Sequence, residues 1–254
     1  MRSASAVRSY SFDETLQPRE RAALDSVAVE FRGAAILDLG VGAGRTVKPL
    51  LEVSSDYLGV DYSAEMIAAC RQRYREQHFV LGDARNLSMV ADGTVGLVMF
   101  SCNGISMVGH EDRLKIIRET YRVLRPGGAF VLTTYNQNCP DHTAGFQFPE
   151  FEFTFNPARC LVRTARFLDA LALRVRNRQR HRRHTVRTAE YSVINDVCHD
   201  YGVMLYYISL DHQRRQLEAC GFLPKAVAFD HAGQIIVREN DENDYAMVAR
   251  KGLT

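Results

Sequence analysis

The chain has 254 residues, 46% hydrophobic and 24% charged, with a net charge of +2. That length fits one α/β domain with an elaborated insertion and leaves little room for a second full domain. The small net charge argues against nucleic-acid or membrane binding as the main activity, because such partners need a strongly basic face.

No apolar run reaches membrane-spanning length, and residues 1–14 have neither the apolar core nor the cleavage site of a signal peptide, so a cytoplasmic protein is expected. The six cysteines are scattered with no C-x-x-C pair, which suggests neither a zinc site nor a disulfide framework. From Glu14 to Glu30 the apolar positions follow a loose helical period. Ala34 to Leu39 is a short apolar run that stops at glycines, as a strand buried on both faces does. The turn Gly40-Val41-Gly42-Ala43-Gly44 follows, then a helix through Val47, Leu50 and Leu51. The pattern repeats with strand Tyr57 to Asp61 and a helix that Ser63 caps, its inner face carrying Met66, Ile67 and Cys70. Further strands are predicted at His78 to Leu81, Val95 to Phe100 and Ala129 to Thr134, with a helix from Asp112 to Leu124 between the last two. Alternating strands and helices imply right-handed crossovers and a parallel sheet.

The alternation fails from Gln137 to Tyr207. That stretch is read as a cap inserted over the sheet, dividing the chain into a core at 1–136, the cap at 137–207, and a closing helix with strands at 208–254. The helix Asp211 to Cys220 ends at Gly221, and Lys225 to Phe229 and Tyr245 to Arg250 close the sheet around an acidic turn.

The chemistry concentrates at the first glycine turn. Its glycines let backbone approach a ligand at the end of a parallel strand, and Asp61, ending the next strand, can accept both hydroxyls of a ribose. A nicotinamide enzyme also has these features, but its loop is G-x-G-x-x-G with the helix N-terminus free for pyrophosphate. Here the third glycine comes one residue early and Asp38 stands two positions before the first. S-adenosylmethionine (SAM) has no phosphate, and a carboxylate such as Asp38 can draw its ammonium, directly or through water.

Ile36 to Gly44, Gly59-Val60-Asp61-Tyr62-Ser63, Gly82-Asp83-Ala84 and Leu124-Arg125-Pro126-Gly127-Gly128 stand in order along the chain. In these four motifs the sequence resembles the class I SAM-dependent methyltransferases that act on small molecules. The resemblance implies a Rossmann-like α/β fold: a mostly parallel seven-stranded sheet, helices on both faces and an inserted cap. It implies SAM as cofactor, held by Asp38, Gly40, Gly42, Gly44, Arg45, Asp61, Tyr62, Asp83 and Ala84. Asp83 would sit at the adenine amine, Ser101, Cys102 and Asn103 beside the methionine part, and Tyr10 near the cofactor. Each has a plainer rival: Asp38 and Asp61 as helix caps, Asp83 as a turn residue, Arg45 as a solvated arginine and Tyr10 as an exposed aromatic. Two departures are a valine, Val41, where a cysteine or serine is often found, and the absence of the Asn-Pro-Pro-Tyr motif after the fourth strand.

Methyl transfer from a sulfonium chiefly requires holding donor and acceptor in line, with a base only if the nucleophile is protonated. His142, His199, His212 and His231 are the histidines suited to that role. His199 and Tyr135 are the preferred catalytic candidates. Asn136, Asn195, Tyr201 and Tyr207 are the preferred lining of an acceptor pocket, with Asn195 and His199 on one face if their segment is helical. The rival reading is that the cap tyrosines only pack. Arg159, Arg163, Arg166, Arg174, Arg176, Arg178, Arg180, Arg182, Arg183 and Arg187 crowd one segment, interleaved with leucines as in a long solvated helix. The expected function is methylation of nitrogen or oxygen on a small molecule by a monomer or homodimer, with no metal. An RNA methyltransferase using the arginine segment and a nicotinamide oxidoreductase are the alternatives.

Overall fold

The computed structural model describes residues 15–140 and 145–253, and of Cys198 and His199 only the backbone. Tyr10, His142 and the His199 side chain therefore lie outside the described residues.

The first helix, α1 (Pro18–Ala28), starts where the sequence has a proline at the first helical position and a reciprocal capping box between Gln17 and Glu20. The alternation that follows runs β1 (Ile36–Leu39), α2 (Val47–Leu51), β2 (Tyr57–Asp61), α3 (Ala64–Arg73), β3 (His78–Leu81), β4 (Val95–Phe100), α4 (His110–Val123) and β5 (Leu124–Tyr135). Ser63 caps α3 as the sequence predicts, its hydroxyl accepting from the Met66 amide at 3.3 Å. After β5 come α5 (Pro157–His181), β6 (Val186–Arg187), β7 (Tyr191–Asn195), β8 (Met204–Ile208), α6 (Leu210–Ala219), β9 (Val227–Phe229), β10 (Ile235–Ile236) and β11 (Asp244–Arg250).

The sheet order is β10-β9-β11-β5-β4-β1-β2-β3. Strands β1 to β5 pair in parallel, while β11 runs antiparallel to both β5 and β9. Alternate residues of each strand face opposite layers. Ile36, Leu97, Met99 and Val131 pack with α1, α2 and α3 on one side. Leu37, Val98, Phe100 and Leu132 pack with α4 and α6 on the other. The strands are apolar without alternation because both faces are covered, as residues Val95 to Phe100, all buried, illustrate.

The expected seven strands are β3-β2-β1-β4-β5-β11-β9. The sheet exceeds them by the two-residue β10 at one edge and by an antiparallel meander, β6 to β8, that joins β5 through the pair Tyr135 and Tyr207. These short pieces carry too few residues, or too irregular a pattern, to stand out in the sequence.

One local expectation fails. Asn195 and His199 do not share a helix, since β7 ends at Asn195 and a 3-10 turn spans Cys198–Tyr201. The run Tyr191-Ser192-Val193-Ile194 suits a pleated strand, and the positive φ of Asp200 (53°) and Tyr201 (59°) is incompatible with a continuing helix. Helix α5, by contrast, is the long solvated helix the arginine segment suggests. It spans 25 residues, none of them buried.

Candidate active site

Two cavities lie at the carboxyl ends of the parallel strands. The first, about 440 Å³, is walled by Gly40, Gly42, Arg45 and Thr46 from the β1–α2 turn, by Asp61 and Tyr62 after β2, by Asp83 and Ala84 after β3, and by Ser101 and Cys102 after β4. Parallel strands end on one edge of the sheet, so motifs scattered over the sequence converge there. Gly40 needs its positive φ of 64°, and a Cβ on it would stand 2.6 Å from the Phe100 ring. A Cβ on Gly42 meets nothing nearer than the Gly40 carbonyl at 3.9 Å, so its backbone faces open space. Gly44 serves packing instead. It lines neither cavity, and a Cβ there would stand 2.7 Å from the Tyr74 ring.

Asp61 is buried, and its carboxylate accepts the amides of Gly42 and Ser63, each at 2.8 Å. Burial pushes its carboxyl up despite those bonds. Asp38 lies deeper and has no exposed surface. One oxygen accepts from Thr46 at 2.5 Å and Tyr57 at 2.8 Å, while the other, Oδ1, is buried with no partner. Burial raises this carboxyl to about 7. Asp38 is thus no helix cap, and it reaches the cavity through Thr46 and not by its own surface.

Arg45 is neither a solvated arginine nor a free cation. Its guanidinium bonds both oxygens of buried Glu20, at 2.7 and 2.8 Å, and Glu20 also accepts the Cys102 amide at 3.0 Å. Burial raises the Glu20 carboxyl, but the Arg45 bonds and charge outweigh it and hold the group below its ordinary value. Glu20 therefore ties α1, the glycine turn and the end of β4 together. Asp83 sits on the rim, bonded to Arg85, which lowers its carboxyl.

The second cavity, about 410 Å³, shares the wall residues Cys102 and Met107 with the first. Its other lining residues include Arg19, Asn103, Tyr135, Leu205, His231 and Asp244. Cys102 and Asn103 both have positive φ, 52° and 54°, which turns the chain sharply between the cavities. The buried Asp244 carboxylate accepts from Arg19 at 2.6 Å and Asn103 Nδ2 at 2.7 Å on one oxygen, and pairs with His231 Nε2 at 2.5 Å on the other.

Of the described residues expected around an acceptor, Tyr135 lines this second cavity, and Asn136, Asn195, Tyr201 and Tyr207 are not in its wall. Asn136 is fully buried, its amide held by Asn240. Asn195 donates to the carbonyls of Tyr201 and Val203, closing the turn between β7 and β8. Tyr201 is buried, its ring stacked on Phe146, and Tyr207 donates to Asp196 and stacks on Tyr135. The Asn195 amide thus serves the backbone of its own segment, as short polar side chains near turns do. Among the histidines considered, His212 pairs with Ser209 outside both cavities, whereas His231 is in the wall of the second. Glu20, Arg19 and Asp244 were not singled out. Only the Gln17–Glu20 capping spacing was visible for the first, and a buried ion pair 225 residues apart has no local signature.

Residues 36–128 match the methyltransferase-domain family. A malonyl-[acyl-carrier protein] O-methyltransferase of Salmonella typhimurium is 30% identical over 132 residues, which cover 52% of this chain and 51% of that protein. An arsenite methyltransferase of Halobacterium salinarum is 34% identical over 116 residues, covering 42% of this chain and 29% of that one. The chain thus spans about half or less of the length of these relatives. In fold it is similar to the Burkholderia thailandensis 1,6-didemethyltoxoflavin-N1-methyltransferase, solved with its substrate and S-adenosylhomocysteine, with a TM-score of 0.57, 15% identity, and coverage of 98% of this chain and 82% of that one.

Proposed function

We propose that the chain, whose residues 36–128 match the methyltransferase-domain family, is a class I SAM-dependent methyltransferase that carries a methyl group from SAM in the first cavity to a nitrogen or oxygen of a small molecule in the second. The observation that supports this most directly is that the two cavities are neighbours, with Cys102 and Met107, beyond the end of β4, in the wall of both. A donor in one and an acceptor in the other would be neighbours, the proximity that an in-line displacement requires.

The residues of the first cavity fit SAM. Asp61 offers a carboxylate to vicinal hydroxyls, the Gly42 backbone leaves room for a close approach, and the unpartnered Asp38 Oδ1 supplies negative charge beneath the turn. In this reading Ala84 and Asp83 meet the adenine edge, and Ser101 and Cys102 the methionine part, all four being in the cavity wall. When bound, SAM supplies an electrophilic methyl on a cationic sulfur. The Arg45–Glu20 pair fixes the Cys102 amide, and with it the wall at which acceptor and methyl meet. The insertion contributes Val203 to the first cavity and Leu205 to the second, apolar groups that exclude water from the shared wall. The relatives' names span a carrier-bound acid, arsenite and a heterocycle, so acceptor chemistry varies while the domain does not.

Calorimetry on the purified protein tests the reading. SAM and S-adenosylhomocysteine are expected to bind with micromolar affinity and NADH far more weakly. Tighter binding of NADH than of SAM would sink it.

A further inference from the structure

The second cavity contains a proton-accepting device that neither the family nor its relatives' names assign. We propose that His231, oriented by Asp244, takes the proton of an acceptor whose nucleophilic nitrogen or oxygen is protonated at neutral pH. This inference rests on the proposed SAM-dependent transfer.

Three observations carry it. First, Asp244 is 4% exposed and held on three sides, by Arg19, Asn103 and His231, so it cannot turn away from the imidazole. A carboxylate that accepts from Nε2–H fixes the tautomer, leaving Nδ1 as the ring's basic nitrogen, and stabilises the imidazolium once it forms. Second, the backbone is anchored as well, the His231 amide donating to Glu242 at 2.8 Å. The other titratable or charged groups around this cavity are Arg19, Cys102 and Tyr135. Third, Asn103 Oδ1 and Arg19 Nε, on two of the same residues, are buried without partners. Both residues also hold Asp244, so each has one polar atom committed to that carboxylate and another left unmet, which is costly in an interior.

The step balances. The acceptor's lone pair forms the bond to the methyl carbon, and the carbon–sulfur bond breaks with its electron pair left on sulfur. The acceptor's proton passes to His231 Nδ1 and then to solvent, for which the half-exposed imidazole is placed. An ammonium gives up its proton before attack, and a hydroxyl as it attacks. Asp244 is a positioning residue in this scheme. Tyr135, stacked on Tyr207, walls the same space with an aromatic face that fits a planar acceptor.

Tyramine, which carries an ammonium and a phenol on one small ring, is the probe. Transfer from isotopically labelled SAM, with the product located by mass spectrometry, tells nitrogen from oxygen. His231→Ala is expected to lower turnover by about 100-fold or more, with S-adenosylhomocysteine affinity unchanged within about twofold. His231→Gln, which keeps a hydrogen bond to Asp244 but has no basic nitrogen, should behave the same way and covers a folding defect in the alanine variant. Independently of any acceptor, diethyl pyrocarbonate should modify His231 several-fold faster in the wild-type protein than in Asp244→Asn. Turnover in His231→Gln near the wild-type rate, or equal His231 modification in both proteins, would overturn the proposal. Loss of S-adenosylhomocysteine binding by the wild type would instead overturn the SAM reading beneath it.

Discussion

The two cavities are built in opposite ways. Most of the first cavity's lining stands at or shortly after the ends of parallel strands β1 to β4, with Ile116 and Val203 as exceptions, so order along the chain becomes order around the cavity. The second is assembled by contact between remote segments: Arg19 on α1, Asn103 after β4, Tyr135 at the end of β5, His231 after β9 and Asp244 at the start of β11. A cofactor common to a whole family can be held by a local, repeatable motif. On the proposed reading, the acceptor is met by side chains whose only common property is where the fold brings them.

The largest expected effect lies in neither cavity wall but where α6 and the inserted meander pack against α4 and β5. Arg113 on α4 is fully buried and bonds Gln213, Gln216, the Thr134 hydroxyl and the Ile105 carbonyl, with its guanidinium carbon 4.6 Å from the centre of the Tyr206 ring. Its partners include no carboxylate, and burial lowers it to about 10, so it remains cationic at neutral pH. Arg113→Met strands several buried acceptors and should cost about 3 kcal/mol. For a chain of this size that is a fall in melting temperature of roughly 6–12 °C. A single shifted transition by calorimetry would mean that the halves fold together, whereas a new early transition would separate them. An unchanged melting temperature would deny Arg113 its joining role.

Next in size is Asp61→Ala. It should weaken SAM binding by about 1.5–3 kcal/mol, the loss expected when hydrogen bonds to a charged acceptor disappear. Catalytic variants of the second cavity should leave that affinity alone. If calorimetry finds the affinity unchanged in Asp61→Ala, the cofactor does not use this carboxylate.

These two positions also show what could be read in advance. Asp61 was readable because it ends a strand two residues before a helix cap, a spacing fixed by local geometry. Arg113 was not, since nothing in the amphipathic run of α4 marks one arginine as pointing inward. The insertion misled for a related reason. Asn195, Tyr201 and Tyr207 have the chemistry of pocket residues, but which polar groups a segment spends on its own turns depends on backbone conformation that composition does not reveal.

That distinction is itself open to measurement. Asn195→Ala removes two bonds from its side-chain amide to the carbonyls of Tyr201 and Val203, and should lower stability by about 1–2 kcal/mol. SAM affinity and the acceptor's KM should stay as they are. A selective change in KM at full stability would return Asn195 to the acceptor site.

The smallest effect concerns Asp38, and its sign follows from linkage. This carboxyl is raised by burial to about 7, so near neutrality the folded protein without ligand holds it partly protonated. If the ammonium of SAM is drawn towards Asp38 through Thr46, binding favours the ionised form and must expel the proton, so affinity rises with pH. With a carboxyl titrating at about 7, the ionised fraction falls from about one half at pH 7 to about one tenth at pH 6, and affinity should drop about fivefold over that interval. At pH 7 the binding reaction should release about half a proton, seen as a binding enthalpy that depends on the ionisation enthalpy of the buffer. Asp38→Asn cannot titrate and should abolish both effects while keeping the bonds from Thr46 and Tyr57. An identical pH slope in that variant would assign the titration to another group and leave Asp38 as the internal anchor of the glycine turn.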